Sequence, residues 1–445
     1  SHPMREHIRH FVVLMFENRG FDQLLGWLYD GDPDPDVRLV GAETPGTPRF
    51  QGLTPALCEA YAQPLSRHGR TATYPIVRGA PPACPRWDPQ EGFAATRRQI
   101  GPQPGQMLGF LQDYWDFQKD KLWFDPEDIL RTFDPARGEA SVTNTLAKGF
   151  AVSDAWFASI PSQTSINRAF SLCGRSIGYA SKADRLAGRT TAMVDNHYDL
   201  RIAPFTIAPA SFSCPTIWNV LAAHGHDTEQ DWKIYWSNVW PPHVPGHGPG
   251  SYTWKMFEAL RGLVPAQGDP RYTRIDQLFA DLDNGSLPRF AYVEPDYSFT
   301  VFEEVGLHIG NDFHPPGHIG GAERLLARIF RALRRSRYWE DTLLVVLFDE
   351  HGGTFDHVAP PRGLVAPTGG DVKELGFDFT EAGVRVPALF ISPWVAPRTV
   401  LRSPTATPFD HTSLPATLLD WWGLPRAGLG ERVAAAPSFA DVVGD

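Results

Sequence analysis

Two apolar runs most constrain the fold: His10 to Phe16 (His-Phe-Val-Val-Leu-Met-Phe) and Thr342 to Phe348 (Thr-Leu-Leu-Val-Val-Leu-Phe). A strand that shows one face to water alternates polar and apolar residues; a strand covered on both faces does not. Arg289 to Val293 and Pro387 to Ser392 read the same way. Ala322 to Arg335 places Leu325, Leu326, Ile329, Phe330 and Leu333 at helical spacing, with arginines on the opposite face. Buried strands alternating with amphipathic helices predict an α/β fold, with a largely parallel central sheet and helices on both faces.

A chain of 445 residues has room for one large enzyme domain with insertions. Residues 31–145 and 235–275 are rich in proline, glycine and aromatics and show little periodicity. They read as long insertions forming a cover over a single domain from 4 to 445. Ser1 to Pro3, ahead of Met4, resembles a tag remnant, and no signal-peptide pattern follows Met4. An intracellular and an exported protein would read alike here, and oligomeric state leaves no mark on the sequence. The formal net charge of -10 argues against a nucleic-acid partner. It still permits an anionic substrate, because a metal ion can reverse the local field. No apolar run approaches the roughly 18–20 residues that span a bilayer. Cys58, Cys84, Cys173 and Cys214 form no metal-type CxxC. Cys58 and Cys84 share one loop-rich stretch, where a disulfide and two free thiols are both open readings.

Three polar clusters follow apolar segments, where open α/β sheets bind ligands. They are Glu17-Asn18-Arg19, Asp349-Glu350-His351-Gly352-Gly353, and Ser162-Gln163-Thr164-Ser165-Ile166-Asn167-Arg168. Adjacent carboxylates straight after a buried strand are costly unless a positive charge compensates, and hard divalent cations favour carboxylate and amide oxygens. Asp and Asn end many strands, and Glu17 with Arg19 can be a plain salt bridge. Two such clusters at two strand ends nevertheless point to one shared site. The hydroxyl cluster can simply cap the helix of Ala169 to Cys173. A helix start is also an anion site, where a hydroxyl can attack bound phosphorus and an arginine can fork phosphate oxygens. His314, His351, His357 and His411 supply imidazoles that could contact phosphate or protonate a leaving group, although each alone is more often structural.

With these residues in place, the sequence resembles the bacterial phospholipase C and acid phosphatase phosphoesterase family of the alkaline phosphatase superfamily. Phe16-Glu17-Asn18-Arg19-Gly20-Phe21-Asp22 is similar to the family's E-N-R-S-F-D block, and Trp156 to Arg168 to its W-F-x-S-x-P-G-Q-T-x-x-N-R block. Glu294-Pro295 and Asp312-Phe313-His314-Pro315-Pro316 resemble its E-P and D-x-H-P-P segments. The longest match runs from Trp339 through Phe348-Asp349-Glu350-His351-Gly352-Gly353 to Val358, and Val384-Arg385-Val386-Pro387 and Asp410-His411-Thr412-Ser413 complete the series.

The resemblance implies one divalent metal ion (Ca²⁺, Mg²⁺, Mn²⁺ or Zn²⁺) held by Glu17, Asn18, Asp349 and Glu350. Thr164 takes the nucleophile position and is a further ligand, with Ser162 and Ser165 as fallbacks. It also implies that His314 and His351 contact phosphate or act as leaving-group acid. Arg168 and Asn167 then stand as substrate-binding residues, with bracing of the helix an alternative for Arg168. Ser162 replaces the family's usual Gly, Ile166 its usual Pro, and Glu91 stands where phospholipase-type members often carry His. These departures point to a phosphomonoester substrate, hydrolysed through a phosphothreonine. The rivals are a phospholipase C cleaving phosphatidylcholine-type diesters, a sulfatase-type reaction, and a non-catalytic binding protein on a degenerate scaffold.

Overall fold

In the computed structural model the two apolar runs lie side by side as parallel strands. It describes residues 2–102, 105–199, 208–209, 212–237, 252–264, 268–297, 299–302 and 307–444, with backbone alone at 198–199, 208–209, 299–302 and 307–309. The proline- and glycine-rich run at 240–250, inside the expected 235–275 insertion, lies outside the described residues.

The central sheet comprises β1 (His10–Phe16), β2 (Arg38–Val40), β3 (Ala151–Ser153), β4 (Trp232–Trp236), β5 (Tyr272–Arg274), β6 (Phe290–Val293), β7 (Thr342–Phe348), β8 (Ala388–Ile391) and β9 (Thr399–Leu401). Their order across the sheet is β5-β4-β6-β1-β7-β8-β3-β9-β2. Neighbours are parallel except β8, which runs antiparallel to both β7 and β3. Every residue of β7 and all but the first of β1 are buried, which is why neither run alternates. Helices α1 (Ser141–Gly149) and α3 (Gly320–Arg335) pack on each other, as do α2 (Thr164–Cys173) and α4 (Ser413–Trp422), giving two separate helix layers. Among the described residues no helix is long and apolar enough to cross a membrane.

The 31–145 stretch holds more regular structure than its composition suggests. It supplies the edge strand β2, a hairpin of Gln63–Arg67 with Arg70–Tyr74, and helices Phe93–Ile100 and Phe110–Gln118. These elements are too short for a helical or strand period to stand out in sequence. They gather Trp87, Phe110, Leu111, Tyr114 and Ile129 into a second hydrophobic cluster, closed by Phe355 and Val384 from the main body. All four cysteines are buried free thiols, so Cys58 and Cys84 do not bridge.

The antiparallel course of β8 has a specific consequence. Its first residues meet the last of β7 (Leu347 pairs with Ala388), so Val384 to Pro387 arrive beside the polar motifs. Arg385, fully buried, donates to Asp22 at 2.9 Å, to Asp356 at 3.1 Å, and to the Gln51 and Asp154 carbonyls at 2.8 and 2.9 Å. His357 donates from Nδ1 and from its backbone N–H to Asp22 at 2.7 Å. This network joins three sequence motifs without entering the site. Replacing Arg385 with Met should strand two buried carboxylates and lower stability by about 3–5 kcal/mol. A shift of the urea unfolding midpoint within experimental error would show that the network is not a structural anchor.

Candidate active site

Register builds the site. Phe16 pairs with Phe348, so the first residues beyond the two strands, Glu17 and Asp349, emerge side by side. One carboxylate oxygen each from Glu17, Asp349 and Glu350 lies within 4.8 Å of the others, and all three residues are buried. Asn18 turns the chain with a left-handed φ of 52°, which asparagine tolerates better than most side chains. Its N–H donates to Asp349 Oδ1 at 2.9 Å, and the Glu350 N–H donates to the same oxygen at 2.7 Å. Gly352 donates to Glu350 Oε2 at 2.8 Å. A Cβ on Gly352 would fall 2.2 Å from the Asn18 carbonyl oxygen, and one on Gly353 would fall 2.4 Å from that of Gln90. Glycine at both positions lets the β7 loop close against its neighbours.

The hydroxyl cluster enters from the other helix layer. Helix α2 starts at Thr164 itself, five residues before the expected Ala169, and its N-cap Gln163 makes no side-chain cap. Thr164 Oγ1 instead donates toward Glu17 Oε2 at 3.0 Å and Asn18 Oδ1 at 3.3 Å. The fallback hydroxyls face elsewhere: Ser162 donates to Asp195 at 3.1 Å, and Ser165 is bonded to Tyr252. Asn196 Oδ1 accepts from the Ser165 N–H at 3.0 Å and replaces the missing cap. Asn167 is fully buried and bonds within its own turn, accepting from the Ile160 N–H and donating to the carbonyls of Ile160, Ser162 and Gln163.

Arg168 lies beneath the carboxylates, fully buried, 3.5 Å from Glu17 Oε1 and 3.6 Å from Asp349 Oδ2. Its NH2 donates to the Met15 and Phe16 carbonyls at 3.1 and 3.3 Å, its NH1 to Tyr292 at 3.3 Å, and its guanidinium stacks 5.2 Å from the Tyr297 ring centroid. Burial works against its charge, but Tyr297, Glu17, Tyr292 and Asp349 outweigh that and hold it protonated.

The histidines divide. His314 Nε2 faces the Asn18 amide at 3.0 Å, and its side chain keeps 21% of its surface exposed. Burial lowers its pKa, but Asp88, Asp312 and Glu91 outweigh this and raise it to about 9. His351 is sealed in: Nε2 meets Gln99 Oε1, Nδ1 lies 3.8 Å from Glu350, and burial pushes its pKa down to about 3. His411 accepts from Trp156 Nε1 at 3.2 Å and donates to the Asp349 carbonyl at 2.6 Å, buttressing the β7 loop. Burial raises the Glu91 carboxyl to about 8, with Asp88 adding to the shift. The structure thus joins Glu17, Asn18, Thr164, Asp349, Glu350 and His314 in one site and sets Asn167, Arg168 and His351 behind it.

Tyr292, Tyr297, Gln99 and Asn196 are supporting residues that sequence reasoning missed. They reach the site from distant segments, and no local pattern marks them. Asp349 Oδ2 and Glu350 Oε1 are buried without a hydrogen-bond partner. Burial, with Asp349 nearby, drives the Glu17 and Glu350 pKa values well above the ordinary range. When ionised, the three clustered carboxylates outnumber the Arg168 guanidinium and leave negative charge for a cation to meet. Oxygen donors without partners in an acidic pocket fit such an ion.

A buried acidic pocket with a helix-borne hydroxyl thus lies at the strand ends of the α/β sheet, where such folds bind ligands. The chain belongs to the Phosphoesterase family, whose model it matches over residues 8–425, and it is a phosphoric ester hydrolase. It is 30% identical to non-specific phospholipase C6 of Arabidopsis thaliana, over 100% of this chain and 73% of that protein. With non-specific phospholipase C1 of the same plant it shares 29% identity, over 98% and 71% of the two chains. With the non-hemolytic phospholipase C of Burkholderia pseudomallei it shares 25%, over 92% of this chain and 54% of that one. A solved structure of a protein in the alkaline phosphatase superfamily from Vibrio parahaemolyticus overlaps 69% of this chain and 67% of its own, at 14% identity and a TM-score of 0.35. The family assignment rests on the sequence match.

A divalent cation should stabilise this protein increasingly as pH rises. In metal-free protein the raised Glu17 and Glu350 pKa values mean that the folded state holds protons the unfolded state releases. Their contribution is therefore complete below the unfolded value near 4.5 and is lost as pH climbs through the folded values. A cation that binds the ionised carboxylates removes this penalty. Thermal melts in chelator and in excess Mn²⁺ should diverge progressively from pH 4.5 upward; a gap independent of pH, or none, would count against a cation site.

Proposed function

We propose that the protein is a metal-dependent phospholipase C-type esterase in which Thr164 is the nucleophile. The observation that carries the nucleophile is the position of its hydroxyl, 3.0 Å from Glu17 Oε2 and 3.3 Å from Asn18 Oδ1 at the start of a ten-residue helix. A single divalent cation (Ca²⁺, Mg²⁺, Mn²⁺ or Zn²⁺) held by Glu17, Asn18, Asp349 and Glu350, with Thr164 as a further ligand, would supply the positive charge that lowers the hydroxyl's pKa.

The chain's own groups do the rest. Glu17 Oε2 holds the Thr164 proton, which aims the oxygen's lone pairs toward the substrate. The positive end of α2 favours the phosphate charge. Thr164 Oγ1 bonds to phosphorus as the bond from phosphorus to the glycerol oxygen breaks, and His314 protonates that oxygen to release diacylglycerol. Water then attacks phosphorus as its proton passes to His314, the bond to Oγ1 breaks as Oγ1 regains the proton held by Glu17, and the phosphorylated headgroup leaves. Arg168 and Asn167 act as positioning residues rather than as substrate ligands, because their polar groups are directed to the strand ends and to the turn. His351, neutral and held by Gln99, positions Glu350.

The diester substrate is favoured by the relatives, which are named phospholipases C and match almost the whole of this chain. A phosphomonoester stays as the second reading because of Glu91, an acid where a histidine is usual in phospholipase-type members. Thr164→Ala should cut turnover of both phosphatidylcholine and an aryl phosphate by at least about 10³-fold while the fold persists. Wild-type protein acid-quenched during turnover of an aryl phosphate should carry phosphate on Thr164. Near-normal turnover in the variant would remove Thr164 from the mechanism, and release of phosphate from monoesters without diacylglycerol from phosphatidylcholine would select the second reading.

A further inference from the structure

Apolar side chains left in water are unevenly placed. Among the described residues the exposed large ones are Phe117, Leu122 and Trp123 in one stretch, Val365, Val372 and Leu375 in another, and Leu186. Leu186 belongs with the second group, because Thr190 next to its helix bonds to Asp371 and β-strand residue Thr191 pairs with Val372. Single exposed apolar residues are ordinary, whereas clustered ones mark contact surfaces. Two of them are also held out at a backbone cost: Trp123, 66% exposed, has φ +55°, and Leu375, 71% exposed, has φ +52°.

Both clusters are fastened to the same strip of chain, residues 87–93. At one end Trp87 Nε1 donates to the Leu122 carbonyl at 3.0 Å, and Gln118 donates to the Asp88 carbonyl. At the other end Phe93 packs edge-on against Phe377, with ring centroids 4.9 Å apart. Asp195 accepts from the Phe93 N–H at 2.7 Å, and Glu374 accepts from the N–H of Val194 at 2.6 Å and of Asp195 at 3.2 Å. Between these ends the strip carries Asp88 and Glu91 beside His314, and Gly92 against Gln163, the residue before Thr164. The apolar tips therefore flank the segment that borders the reaction centre.

We propose that Trp123 and Leu375 head a docking surface that seats the site on a zwitterionic phospholipid surface, an inference that rests on the phospholipase reading above. Charge selects the occupant. Lys119 and Lys121 alternate with Asp116, Asp120 and Asp125 around the first tip, and Lys373 lies between Asp371 and Glu374 beside the second. With a chain charge of -10, such a rim repels an anionic membrane and suits a headgroup bearing both signs. Tryptophan is the side chain that best tolerates a lipid–water boundary, and Trp123 has the Arg86 guanidinium 5.0 Å from its ring centroid to face the headgroups.

The test uses the full chain with phosphatidylcholine vesicles. Trp123→Asp and Leu375→Asp should each lower vesicle sedimentation by about tenfold, with an equal loss of diacylglycerol release from vesicles. Turnover of a water-soluble aryl phosphate ester should stay unchanged in both variants, which also shows that they fold. Unaltered vesicle binding by both variants would overturn the proposal. So would stronger binding of the parent to phosphatidylglycerol vesicles, or a parent that ignores vesicles but self-associates through these residues. Vesicle binding that both variants lose, without any diacylglycerol release by the parent, would uphold the docking surface and refute the phospholipase reading.

Discussion

The structure depends on one electrostatic constraint, three carboxylates forced together at the buried ends of two paired strands. The register that sets Phe16 against Phe348 leaves Glu17 and Asp349 no choice but adjacency, and Glu350 follows Asp349 directly. Charges brought so close in a medium of low polarity must be answered by opposite charge and by hydrogen bonds. Backbone N–H groups of Asn18, Glu350 and Gly352 answer part, and the buried Arg168 answers another. Two buried carboxylate oxygens, Asp349 Oδ2 and Glu350 Oε1, are left without a hydrogen-bond partner. Helix α2 is drawn into the same arrangement, because it delivers both Arg168 from below and the Thr164 hydroxyl from its first turn.

The local conformation around the site is tightly specified. Asn18 and Phe313 adopt left-handed backbone angles, and Phe313 wedges between Phe16 and Phe348, with ring centroids 4.8 and 5.2 Å away. That wedge presents Asp312, whose carbonyl accepts from the Glu17 N–H at 2.8 Å, and His314, whose ring meets Asn18. A fold that stores strain at such points needs rigid neighbours. The fully buried strands on either side provide them.

Much of this was legible in the sequence, for identifiable reasons. Buried parallel strands announce themselves as unbroken apolar runs, and motifs that are contiguous in the chain, such as Asp349-Glu350-His351-Gly352-Gly353, can be read directly. Thr164 could be placed by its order within a motif, but its bonds to Glu17 and Asn18 could not. The roles of Arg168 and Asn167 were less legible, since an arginine after a hydroxyl cluster suits a phosphate as well as a buried carboxylate. The path of α2 brings Arg168 to the Met15 and Phe16 carbonyls and beside Glu17 and Asp349, which its place in the sequence does not reveal. Supporting residues such as Tyr297, Gln99 and Asn196 lie dozens to hundreds of positions from what they hold, and no period or spacing encodes that. The 31–145 stretch looked irregular because its elements are short and its core is assembled from scattered aromatics.

One strip of chain connects these levels. Residues 87–93 touch the carboxylate loop where Gly353 approaches the Gln90 carbonyl, and touch the turn before Thr164 where Gly92 approaches Gln163. The same strip carries Glu91 within the field of Asp88, His314 and Asp349. A change there alters the field around His314 while leaving the four oxygen-bearing residues at the strand ends untouched. Glu17, Asn18, Asp349 and Glu350 are themselves fixed by burial. Variation around the carboxylates is left to the cover, and the 87–93 strip is a part of it that touches both the carboxylate loop and the turn before Thr164.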